Sequence, residues 1–171
     1  MHHRTWAIAA AAATIVGGAA SASTVDVVNL GGHDTTNFNT SIAIGGGGAF
    51  NFQVQTDGSN PNPWGGTTNI VSFCIELSEN VSGGNSVDVV QGSAIAGSGV
   101  PSPDAVDIDM PALRALSWLF DTHFATAKEG GLNAYAFQAL VWEFVYEGDS
   151  NGYDITSGAF TATANDGAVD S

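Results

Sequence analysis

The chain has 171 residues, enough for one ordinary domain and too few for two large ones. Hydrophobic residues make up 44% and aromatics 9%, so a core can be buried, which argues against disorder throughout. The 17 acidic residues meet only 3 basic ones, Arg4, Arg114 and Lys128. At a net charge of −14 nothing neutralises phosphates, which excludes nucleic acid as the default partner and argues against docking on anionic lipid.

Met1–Thr5 carries His2, His3 and Arg4, followed by an apolar, Ala-rich run from Trp6 to Ala20 and an Ala20-Ser21-Ala22 cleavage site. This pattern predicts a secretory signal peptide over 1–22. The run is shorter than a bilayer requires and is broken by Gly17 and Gly18. No later stretch is long and apolar enough to span a membrane. Residues 23–171 are therefore expected to form one exported domain.

Export makes the single cysteine, Cys74, informative. It has no partner for an internal disulfide. A buried thiol, an intermolecular disulfide, a nucleophile or another covalent bond are its readings.

The chain reads as strands first and helices second. Thr24–Leu30 has strand character, and Ser41–Ile44 and Ala49–Gln55 are two further candidates separated by Gly45–Gly48. Phe50, Phe52 and Val54 alternate with polar residues, as a half-buried strand requires. Asp57–Gly66 reads as a loop. Thr68–Leu77 is the strongest strand, and Ser86–Gln91 follows a turn at Ser82–Asn85. A helix is predicted from an Asp109 N-cap, with Pro111 in its first turn and Leu113, Leu116, Phe120 and Phe124 at helical spacing. Gly130-Gly131 breaks it. A second helix is predicted from Asn133 to about Glu147, capped by Asn133 and stapled by Leu132 and Phe137. A short strand is expected around Phe160–Thr163. The architecture expected is α+β: one domain, an antiparallel β-sheet or barrel with a packed helical pair.

Two residues sit where their chemistry is unexpected. Val71, Phe73, Ile75 and Leu77 form the apolar face of their strand, so Cys74 falls on the opposite face with Ser72 and Glu76. On the second helix Asn133, Ala136, Leu140, Glu143 and Glu147 read as the solvated side. Gln138, with Ala134, Tyr135, Val141 and Trp142 around it, reads as buried. Leaving its carboxamide unpaired would cost roughly 1–3 kcal/mol, so a backbone partner is one reading of it. The other is covalent. A thiol and a carboxamide can condense to a thioester with release of ammonia. Positioning in a dry site lowers such a barrier by about 7–11 kcal/mol. A partner amine then attacks the acyl carbon and expels the thiolate.

Phe73-Cys74-Ile75-Glu76-Leu77, with Ala136-Phe137-Gln138-Ala139-Leu140-Val141-Trp142-Glu143 later in the chain, resembles the thioester domains of bacterial surface adhesins. There an aromatic-Cys pair on a strand is joined to the Gln of a T-Q-x-A-[IV]-W motif. Gln138, Val141 and Trp142 match it, while Phe137 stands for the Thr and Leu140 for the Ala. Residues 136–147, with Trp118-Leu119-Phe120, look similar to exported Gram-negative proteins that end in a Pro-Glu-Pro sorting signal and are associated with exopolysaccharide and the cell envelope. The resemblance covers about residues 68–160. It implies a Cys74–Gln138 thioester supported by Phe73, Phe137, Trp142 and Glu143. It also implies an amine-bearing surface protein or glycan-associated ligand as partner, and single-turnover covalent binding rather than enzymatic catalysis. Proteins of that kind continue past the Gln helix to the sorting signal. This chain stops at Ser171, which leaves two expectations, a C-terminally truncated domain or a form with no sorting tail.

The alternatives are a non-covalent structural protein of the envelope or exopolysaccharide matrix, and a thiol enzyme using a Cys74–His123 dyad. Glu143 reads as bonding to backbone, as orienting the site, or as a solvated helix-face residue. Asp149–Asp154 fails the EF-hand spacing, and Asp104, Asp107 and Asp109 read as a solvated acidic loop. No metal and no cofactor are expected.

Overall fold

The computed structural model describes residues 23–42, 44–55, 68–75, 77, 85–89, 108–147 and 152–164. Residues 1–22, for which a signal peptide is expected, the 57–66 stretch expected as a loop, Asp104, Asp107 and Asp149 lie outside these residues. The described chain runs β1 (Ser23–Thr40), β2 (Ile44–Gln55), β3 (Thr68–Ser72), β4 (Asn85–Val89), α1 (Met110–Ala127), α2 (Gly131–Tyr146) and β5 (Ala162–Ala164). All pairings are antiparallel, in the order β3-β2-β1-β4, with β5 pairing the far end of β1. The α+β class and the antiparallel sheet are thus present. The barrel is not: β3 and β4 sit at opposite edges and do not pair, so the sheet stays open.

Several boundaries differ from the sequence reading, each for a physical reason. β1 extends well beyond Leu30, because two irregularities, between Asn29 and Gly31 and between Gly32 and Asp34, let it bend without ending. Ser41 and Ile42 form the hairpin bend and not a strand. Gly45–Gly48 is no separator, since β2 runs through it in register with Thr35–Phe38.

Those glycines decide where the helices sit. Gly47, Ala49 and Asn51 face one side of β2, and Phe50 and Phe52 the other. The helices pack on the small-residue side. A Cβ on Gly47 would lie 2.4 Å from Trp142 Cη2 and 2.8 Å from Gln138 Cγ. Only a glycine lets α2 approach this closely.

α1 begins as expected, with Asp109 Oδ1 accepting from the Ala112 N–H at 2.8 Å. It buries Ala112, Leu116, Leu119, Phe120 and Ala127. α2 departs further. It starts at Gly131, and its cap is Gly130 with φ of 96°, a residue with no side chain to accept from the first turn. Asn133 is exposed inside the first turn, and Leu132 is exposed while Phe137 is buried, so neither the cap nor the staple forms. Asp34 of β1 supplies the missing acceptor, taking the Gly131 N–H at 2.5 Å and the Tyr135 hydroxyl. A carboxylate also complements the positive helix end.

From Phe137 to Val145 α2 is buried apart from a half-buried Leu140, as a helix covered on several sides must be. One core cluster joins α1, Ala49 and Phe73 to Phe137, Val141, Phe144 and Val145. A second joins Phe38, Leu77, Ala139, Trp142, Phe160 and Ala162. Among the described residues no helix is long and apolar enough to cross a membrane.

Candidate functional site

Cys74 and Gln138, 64 positions apart, meet where the two clusters join. The strand expected to run to Leu77 stops at Ser72, so Cys74 is not mid-strand. Its main chain is paired by a side chain instead of by a neighbouring strand. The Cys74 N–H donates to Gln138 Oε1 at 2.9 Å, and Gln138 Nε2 donates to the Cys74 carbonyl at 2.7 Å. One carboxamide therefore does the work of one ladder residue. Gln138 is fully buried, as its neighbours on the helix require.

The chain past Cys74 is fixed in the same manner: the Leu77 N–H donates to the Tyr146 hydroxyl at 3.0 Å. The alternation of the expected strand breaks accordingly. Val71, Phe73 and Ile75 pack on the first cluster, whereas Leu77 belongs to the second, against which half-buried Cys74 also packs.

The residues preceding the two site residues also touch. Phe73 and Phe137 have ring centroids 4.5 Å apart, and both meet Phe120 and Phe124. On the other side of Gln138, Trp142 is buried and edges onto Phe38 at 5.3 Å. Its Nε1 is buried with no hydrogen-bond partner among the described residues.

Glu143 and Glu147 overturn the expectation of a solvated face. Glu143 is fully buried and Glu147 nearly so. Glu143 Oε1 accepts from the Asp154 N–H at 2.6 Å, and Glu147 Oε2 from the Phe160 N–H at 2.7 Å. The backbone-bonding reading of Glu143 is the one realised. Its Oε2 is buried without a partner among the described residues. Burial pushes the Glu143 carboxyl above its ordinary range; the Asp154 N–H opposes this, and the charges of Glu147 and Asp154 add to it.

His123 is exposed on α1, with its ring against exposed Trp118 at 5.4 Å. Asp109 is used as a helix cap. Among the described residues no group of three or more His, Cys, Asp or Glu is arranged to hold a metal. Sequence reasoning missed Gly47, Asp34, Tyr146 and the role of Glu147. The glycine run was the available signal for the first; Asp34 and Tyr146 act over long sequence distances that leave no local pattern.

No protein family, curated protein or solved structure matches the chain.

Proposed function

We propose that the chain is an exported cell-surface adhesion module in which Cys74 and Gln138 form an internal thioester that captures an amine on a partner. The observation that supports this reading is the pairing of the buried Gln138 carboxamide with the main chain of Cys74 itself. In the forming step the Cys74 sulfur adds to the Gln138 side-chain carbonyl carbon. The carboxamide nitrogen leaves as ammonia, carrying the thiol proton, and a C–S bond replaces the C–N bond. The Cys74 N–H, which already donates to Oε1, faces the negative charge that grows on that oxygen. In the capture step a partner amine adds to the same carbon. The C–S bond breaks, Cys74 leaves as thiolate, and the amine loses a proton. The product is an amide between two molecules, made once, so the protein supplies an electrophile and does not turn over.

A second reading is favoured by the same contact. The carboxamide donates and accepts on one residue, which suffices to lock helix to sheet without any covalent bond. The chain would then be a non-covalent structural protein of the envelope or exopolysaccharide matrix. The intact mass of the mature chain, purified without amine buffers, separates the two. A thioester makes it lighter by one ammonia, about 17 Da, and methylamine converts it to the methylamide with a free thiol. Full mass with an alkylatable Cys74 overturns the covalent reading.

A further inference from the structure

The segment 152–164 returns after α2 and spans the second core cluster from helix to sheet. It is fastened at the C-terminal end of α2, through the bond of Glu143 in the last turn to Asp154 and that of Glu147, the residue that caps the helix, to Phe160. At the sheet it is fastened by the hairpin bend: the Ser41 N–H donates to the Thr161 carbonyl, the Thr161 N–H to Ser41 Oγ, and Ser41 Oγ to the Ala159 carbonyl. β5 then adds three residue pairs to the end of β1.

Between these anchors the segment is tied mainly to itself. Asp154 accepts from the Thr156 N–H and hydroxyl and from the Ser157 hydroxyl, and the Ala162 N–H donates to the Ile155 carbonyl. It turns in Phe160, fully buried and stacked on Tyr146 at 5.9 Å, together with Ala162. These two complete the cluster that Cys74 packs against, and Ile155 lies on the same cluster. Gly158, at φ of 113°, makes room for the Glu147 carboxylate; a Cβ there would lie 2.3 Å from Glu147 Oε1.

We infer that residues 152–164 are a strap closing the cluster on the Cys74 side of the site, latched by the Glu143 and Glu147 carboxylates, and that opening of the latch increases the access of reagents to half-buried Cys74. The latch combines the hydrogen bonds of Glu143 and Glu147 to main-chain N–H groups with the Tyr153 ring against Phe144 at 4.4 Å and one small apolar plug, with no disulfide or long ladder. Such an element opens locally before the helices and sheet unfold. The inference builds on the proposed thioester only in that the strap would then also admit the partner amine; the gating of the sulfur stands without it.

The test uses the full mature chain. Amide hydrogen exchange of 152–164 is compared with that of α1 and α2, and the rate of Cys74 modification is measured in parallel. That rate is followed with iodoacetamide alone where the thiol is free, or with methylamine and then iodoacetamide where the mass shows a thioester. Failure of the thioester reading is seen in the mass; failure of the strap is seen in the rates. Glu147→Ala is expected to raise both strap exchange and Cys74 modification by a common factor of about tenfold or more, with α1 unchanged. Gly158→Ala, which displaces the carboxylate without removing it, and Ser41→Ala, at the other anchor, are expected to act in the same direction. Faster strap exchange with an unchanged Cys74 rate in these variants overturns the inference, and so does a strap that exchanges no faster when its anchors are cut.

Discussion

The rings of Phe73 and Phe137 meet at 4.5 Å, and each belongs to the residue immediately before a member of the candidate site. This contact sets the register of α2 against the end of β3, so the next residue on each side, Cys74 and Gln138, is brought together as a consequence. Truncating either ring should cost about 3–5 kcal/mol, as for other fully buried aromatic residues. The double variant Phe73→Ala/Phe137→Ala should be less unstable than the sum of the singles by about 0.5–1.5 kcal/mol, read from urea unfolding of all four forms. Additive losses would mean that the rings pack independently and set no register.

Gln138→Ala removes the two bonds of the carboxamide to the Cys74 N–H and carbonyl and opens a cavity. A loss of roughly 2–4 kcal/mol is expected. Gln138→Glu keeps the shape and separates charge from size. Its acid form can accept from the Cys74 N–H and donate to the carbonyl, whereas its carboxylate would be buried with only an acceptor to offer. This variant should be unstable at neutral pH and recover as the pH falls, in thermal unfolding followed by circular dichroism. Both substitutions should also abolish any loss of ammonia from the intact mass.

Gly47 and Gly46 are adjacent on β2 and should respond very unequally to the same change. At Gly47 an added methyl meets Trp142 at 2.4 Å and must push α2 off the sheet, for a loss of about 1–3 kcal/mol or more. At Gly46 the nearest atoms lie at 3.9 Å, so Gly46→Ala should stay within about 0.5 kcal/mol of the parent. Equal midpoints for the two variants in chemical denaturation would show that the close approach of helix and strand is unimportant.

Asp34 caps α2 from another strand. Asp34→Ala should cost about 1–2 kcal/mol and increase hydrogen exchange in the first turn of α2. Asp34→Asn, which keeps an acceptor and loses the charge, should fall between. If exchange at Gly131 and its neighbours does not change, the cap is idle.

The contact between α2 and the strap holds two carboxyls shifted in opposite directions, Glu143 on the helix and Asp154 on the strap. Glu143 is raised by burial, so folding favours its protonated form. That contribution is present at low pH and is lost as the pH rises through the raised value. Asp154 is lowered by the Thr156 side chain and N–H and by the Ser157 hydroxyl. Its contribution is present above the ordinary Asp value and is lost as the pH falls through the folded one. Glu143→Gln should therefore gain stability relative to the parent as pH rises. Asp154→Asn should be the weaker form at neutral pH and converge with the parent in acid. Unfolding midpoints measured across this range check both signs.

Local pattern carried much of this fold. The Asp109 cap, the apolar stripe of α1, the order of strands before helices and the burial of Gln138 all follow from spacing over a turn or two. Other features depended on partners far away in the chain. Cys74 leaves the strand because a helix residue satisfies its backbone, which strand periodicity cannot register. Glu143 and Glu147 looked solvated because their partners are main-chain N–H groups, which every residue but proline has and no sequence marks. Spacing points to Asn133 as the cap of α2, whereas the cap is Gly130, because the acceptor comes from Asp34 on β1.

The return of β5 to β1 has a consequence in time. The Ser41–Thr161 contact closes a sequence separation of 120 residues, and the cluster over Cys74 lacks Phe160 and Ala162 until that closure is made. Loops of this span close late relative to helices and hairpins. During synthesis the chain can assemble strands β1 to β4 and its helical pair before the strap closes that cluster. The cover arrives only once residues near 160 have emerged, so any chemistry that needs a dry pocket at Cys74 is deferred until the rest of the fold exists to contain it.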